Sequence, residues 1–207
     1  IHDGVTYEVT ALADRAFTLA WRVTSVSFEA DSPLKSIGSY AFNNLMSCQS
    51  IEVPSSVTYI AANAFANATG LVSVRIPDSV ETIGANAFFR NLALESVQLG
   101  TGVKSIPTGA FEYCTGLAEI RVNGTIGSID AKAFSHVKTG DVSVFVVDVE
   151  GEASWRTASA AAGYSFKEIV QQTDTCTVVF DAQEGYPAQQ EAIVGRGMLL
   201  REPATPN

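Results

Sequence analysis

Ile60-Ala-Ala-Asn-Ala-Phe65 returns as Ile83-Gly-Ala-Asn-Ala-Phe88, and the same six-residue pattern starts again at Ile37, Ile106 and Ile129. Each of these five starts lies 23 residues after the last, and a degenerate copy, Leu12-Ala-Asp-Arg-Ala-Phe17, precedes them by 25. Apolar positions six, nine and eleven residues after each Phe keep the same register, as in Leu71/Val74/Ile76 and Leu94/Val97/Leu99. The first unit reaches its later columns, Leu34 and Ile37, two residues late, so its extra pair lies in the loop 29–33, where an insertion is cheap. A fixed period of this length is the mark of a stack of identical coils, because one coil cannot bury its own apolar edge.

The unit reads A-F-x5-L-x2-I-x-V-P-x2-V-x2-I-x3: a short strand, a turn, a second extended segment and a tight turn carrying Ala-Phe. Stacking at about 4.8 Å per coil pairs the strands in parallel and piles Phe17, Phe42, Phe65, Phe88, Phe111 and Phe134 into one interior column. The expected fold is mainly β with short helical turns, a right-handed solenoid of about six 23-residue coils over residues 12–147. Its strands are expected to centre on Val26, Ile51, Val74, Val97, Ile120 and Val144.

The run "IPDSVETIGANAF", with Phe111-Glu-Tyr-Cys114-Thr-Gly-Leu117, resembles the BspA-like leucine-rich repeats of bacterial surface antigens. Departures are local. Leu45, Ala68 and Asn91 stand where Cys114 keeps that family's Cys, and Gly100 and Asn123 replace the Pro after the strand.

The ends of a stack must be closed. Residues 1–10 alternate Val5/Tyr7/Val9 and are expected to lay a strand on the first coil. After Phe134 the pattern ends at Val144/Val146; residues 152–161 form a short helical piece with Trp155 and Ala158 on one face, followed by Phe166 and Ile169. This part resembles the C-terminal cap of BspA-like arrays. The expected domains are residues 1–172, the capped solenoid, and 173–207, a partial β module that resembles the first half of an internalin-type B repeat. Such a half-module leaves an apolar edge needing cover from the cap or from a second copy, the latter giving a weak dimer. The start at Ile1 and the unfinished module both suggest a piece of something longer.

Chemistry is sparse. The 22 acidic against 13 basic residues give a net charge of −9, which opposes a sequence-blind hold on a phosphate backbone. The longest apolar run, Val142-Ser-Val-Phe-Val-Val147, is strand-sized and far short of the roughly 18–20 residues of a membrane span. His2 and His136 fall in no catalytic or metal motif, and His136 reads as a solvated turn residue. Cys48, Cys114 and Cys176 lack paired spacing and read as small buried hydrophobes. Asn67-Ala-Thr69 and Asn123-Gly-Thr125 are short N-x-T matches of the kind chance supplies. No catalytic residue, metal site or cofactor is expected.

Strand alternation instead sends two columns to the side opposite the core: Ser25, Ser50, Ser73, Ser96, Glu119, Ser143, and Ser27, Glu52, Arg75, Gln98, Arg121, Phe145. The second column is the expected partner-binding surface, with Arg75, Arg121 and Phe145 as anchors because Arg and aromatics dominate interface energetics. The resemblance implies a non-enzymatic, extracellular adhesion or recognition module that binds a host protein, matrix or glycan. The alternative is a structural spacer holding another domain away from the cell.

Overall fold

The computed structural model describes residues 8–18, 20–29 and 31–172, together with the backbone of 176–179 and 191–194. Two compact units divide the chain, Ile1–Gln171 and Gln172–Asn207. In the first, a wide sheet of six parallel strands runs in the spatial order Glu168–Gln171, Ser143–Val146, Glu119–Val122, Ser96–Leu99, Ser73–Ile76 and Ser50–Glu52. Five of the six expected centres sit in register here: Ile51 opposite Val74, then Val97, Ile120 and Val144. The sixth, Val26, is a correction: it makes only a single bridge to Ile51 rather than a strand. Among the described residues its coil has a neighbour on one side alone, and Val23, Val26 and Phe28 are only partly buried.

The second extended segments form a narrow sheet of two-residue strands, Ala11–Leu12, Ser36–Ile37, Tyr59–Ile60 and Thr82–Ile83, which breaks before the separate pair Ser105–Ile106 and Ser128–Ile129. Proline explains the break. Gly38, Ala61 and Gly84 each donate a backbone N–H to the coil before, at Leu12, Ile37 and Ile60, and Asp130 does the same to Ile106. The equivalent residue between them is Pro107, which has no N–H to give.

A third ladder runs along the tight turns. Phe17, Phe42, Phe65, Phe88 and Phe111 donate their N–H groups forward to the carbonyls of Ala41, Ala64, Ala87, Ala110 and Ala133 at 2.7–2.9 Å. Turning alternate N–H groups toward the next coil requires left-handed backbone on either side of each Phe. Tyr40, Asn63 and Asn86 adopt it at φ 57–58°, and Gly109 follows at 64°. A Cβ on Gly109 would lie 1.9 Å from the Asn86 Oδ1, so glycine is required there for space as well as for φ.

The Phe column forms as expected, with adjacent ring centroids 5.1–5.5 Å apart and planes within 12° of parallel. Its first member is a correction. Phe17 stacks on Phe42 but is 45% exposed, because its other face is the end of the described column.

At the far end the cap closes all of this. Asp148 caps the helix Val149–Ala161 by accepting from the Gly151 N–H at 2.8 Å, and Gly163, at φ 81°, ends it. Trp155 and Ala158 turn inward, as the sequence spacing predicts, and Trp155 is fully buried against Phe166 and the last column ring, Phe134. Two cap features went unread in the sequence. Glu168–Gln171 adds a sixth strand in register with Ser143–Val146, and the Tyr164 hydroxyl substitutes for the missing next coil. It accepts the Phe134 N–H at 2.9 Å and donates to the Ala131 carbonyl at 2.8 Å. Tyr164→Phe should therefore leave the Phe134 N–H without a partner and lower stability by about 1–3 kcal/mol, read from urea midpoints. An unchanged midpoint would show that this ladder end is not protected by the hydroxyl.

The expected N-terminal strand lies largely outside the described residues; its described part, Glu8–Thr10, is irregular, and Val9 is exposed. In the second unit Cys176–Val179 pairs antiparallel with Glu191–Val194. The rest of 173–207, on which the B-repeat resemblance and the dimer expectation rest, lies outside the described residues.

Candidate functional site

The wide sheet sets the geometry of the outward columns. Core positions Ile51, Val74, Val97, Ile120 and Val144 are at most 4% exposed, so the residues between them point the other way. Register pairs Glu52 with Arg75, Arg75 with Gln98, Gln98 with Arg121 and Arg121 with Phe145. The expected binding column is therefore one continuous row. Ser27 sits beyond its Glu52 end, in the coil whose link to the wide sheet is the single Val26 bridge. Val170 extends the other end, directly opposite Phe145 and 38% exposed. Sequence reading missed Val170, since the period slips after Phe134; Ile169, an apolar residue 25 places after Val144, was the available signal.

Two of the anchors are held by neighbours. Arg121 donates its Nε to Glu119 on the same strand, and its guanidinium lies over the Phe145 ring, 5.3 Å from the centroid. That arrangement fixes a cation and an aromatic ring side by side before any partner arrives. Arg75 is exposed and makes no ion pair with another described residue. Around it the face dips into a groove of about 610 Å³ whose lining includes Ser25, Ser27, Ser50, Glu52, Arg75 and Asp78.

A second row, half-buried at Asn44, Asn67 and Tyr113 and exposed at Arg90 and His136, runs along the tight turns. Asn44 and Asn67 take left-handed backbone there, a conformation Asn tolerates, yet the same position is Arg90, Tyr113 and His136 in later coils, at φ 57–63°. His136 is exposed as expected but not idle. Its ring stacks on Tyr113 at 3.9 Å and its Nδ1 lies 3.5 Å from the Glu112 Oε1. Arg90→Asn should stabilise the protein by about 0.5–1 kcal/mol by relieving left-handed backbone, since Arg90 is exposed. A differential scan showing a lower midpoint would mean the Arg90 side chain does more than fill the turn.

Nucleophilic chemistry finds no footing on Cys114. Its side chain is wholly buried, its Sγ lies 3.1 Å from the Phe88 carbonyl, and desolvation pushes the thiol up to about 12, so it stays neutral. Cys48 is buried as well, beside the Ser50 carbonyl. Among the described residues no three of His, Cys, Asp and Glu gather closely enough to hold a metal ion, and no helix is long and apolar enough to cross a membrane.

Solved structures with this architecture exist. The leucine-rich repeat protein TpLRR of T. pallidum is 24% identical with a TM-score of 0.54, over 79% of this chain and 80% of that one. The pneumococcal vaccine antigen PcpA is 20% identical, also at 0.54, with 67% of this chain matching 33% of that one. A leucine-rich cell surface protein of Faecalibacterium prausnitzii is 20% identical at 0.45, over 79% and 52% of the two chains. For TpLRR and PcpA, at such identities, the likeness is one of fold. No curated protein is found to match the sequence. The family model for the BspA type leucine rich repeat region matches six copies over residues 8–144. The chain therefore belongs to the BspA-type leucine-rich repeat family.

Proposed function

We propose that the chain is a non-enzymatic recognition module displayed outside a bacterial cell, and that it binds a protein partner through the outward face of the wide sheet. The observation that carries this is the locked row Glu52, Arg75, Gln98, Arg121, Phe145, Val170. The parallel sheet fixes the backbone positions from which charged, amide and aromatic side chains project, so no backbone ordering is required when a partner docks. Arg121 and Phe145 are the residue types that dominate binding energetics.

Full-length chain immobilised on a sensor tests the reading against extracellular proteins and matrix. A protein that binds saturably, and whose binding Arg121→Ala together with Phe145→Ala weakens by tenfold or more, supports it. A surface with no saturable protein ligand would favour a spacer that holds another domain away from the cell. Ligands indifferent to both substitutions would place recognition elsewhere.

A further inference from the structure

Resting on that reading, we propose that the occupant of the face is an extended peptide segment of the partner, crossing the strands with a basic side chain at one end and an apolar side chain six residues on. The two ends of the row are chemically unlike. At the early-coil end Glu29, Glu52 and Asp78 line one groove with a single cation, Arg75, and the Asp78 Oδ1 also accepts the Thr101 N–H at 2.8 Å. Three carboxylates against one guanidinium make the groove complementary to a Lys or Arg side chain. At the late-coil end Phe145 and Val170 pair across adjacent strands to form an apolar patch, with the Arg121 guanidinium over the Phe145 ring.

Length ties the two ends together. From Glu52 to Phe145 is four coil steps, through Arg75, Gln98 and Arg121. At about 4.8 Å each this is roughly 19 Å, which an extended chain covers in about six residues at about 3.3 Å per residue. Six is even, so both end side chains fall on the same side of the peptide and face the sheet together. Between them, Arg75 and Gln98 supply donors for peptide carbonyls, and no other described residue pairs with Arg75 as an ion pair. The groove lining is otherwise rich in serine hydroxyls, which leaves the peptide backbone room to approach.

A randomised nonapeptide library panned against the full-length chain, with hits measured by fluorescence anisotropy, tests the proposal. Enriched peptides should carry Lys or Arg at one position and an aromatic or large aliphatic residue six positions away. Glu52→Gln combined with Asp78→Asn should abolish the preference for the basic residue and flatten the salt dependence of binding. Phe145→Ala should weaken every hit about tenfold or more, and Arg121→Gln, which leaves Phe145 in place, should weaken them less. Circular dichroism of each variant separates lost binding from lost fold.

Hits with acidic or uncharged residues in place of the basic one, still sensitive to Phe145→Ala, would overturn the peptide chemistry while leaving the face as the binding surface. A library that yields no binder, while a folded protein does bind the face, would overturn the extended-peptide occupant alone. Hits insensitive to all of these substitutions would overturn both this proposal and the reading it rests on.

Discussion

Phe88→Ala is expected to lower the unfolding free energy by about 3–5 kcal/mol. Phe88 is fully buried at the middle of the column, its ring 5.1 Å from Phe65 and 5.4 Å from Phe111, with both planes nearly parallel to its own. Deleting it removes buried apolar surface and two ring contacts. Collapse around the gap is blocked because the coils on either side are held apart by hydrogen bonds, Phe65 N–H to Ala87 and Phe88 N–H to Ala110 among them. Urea unfolding followed by far-ultraviolet dichroism measures the loss. Phe17→Ala serves as the internal comparison: among the described residues its ring stacks on Phe42 alone, and it is already 45% exposed, so its loss should be clearly smaller. Equal losses at the two positions would mean that the column is not a graded, end-fraying stack.

Much of this arrangement was legible in the sequence because a 23-residue period is a statement about space. Residues one period apart must lie one coil apart, so the register Glu52–Arg75–Gln98–Arg121 follows from counting, and the sheet reproduces it. What escaped counting are the places where a side chain or imino acid breaks equivalence. Pro107 occupies a column whose other members donate an N–H, and only knowledge of that bond reveals the split in the narrow sheet. Tyr164 lies outside the period altogether, yet its hydroxyl performs the work of a backbone carbonyl from a coil that is absent. Val170 joins the outward row through a strand that belongs to the cap, not to the repeat. Phe17 and Val26 occupy repeat positions and still differ from their equivalents in burial and pairing, since a repeat's burial depends on having neighbours on both sides. The face itself was readable, but its division into an acidic groove and an apolar patch required knowing that Glu29 and Asp78 flank the strand ends.

Trp155→Ala should destabilise the protein by about 3–5 kcal/mol, and unlike the Phe88 substitution its effect should be directional. Trp155 is wholly buried, touches the terminal ring Phe134 and the cap residue Phe166, and anchors the helix Val149–Ala161 to the last coil. A stack with nearest-neighbour coupling opens from the end whose interface is weakened. Hydrogen exchange should therefore rise first along Ser143–Val146 and at the Phe134 N–H, while Ser73–Ile76 stays protected. Trp155→Phe separates ring packing from hydrogen bonding at the same place. The Trp155 Nε1 is buried with no partner among the described residues, so replacing the indole by a phenyl ring removes an unsatisfied donor while keeping most of the apolar contact. That variant should lose much less than the alanine one. Exchange that rises uniformly through all coils in Trp155→Ala would show instead that the solenoid unfolds as a single cooperative block, with the cap coupled as strongly to the first coil as to the last.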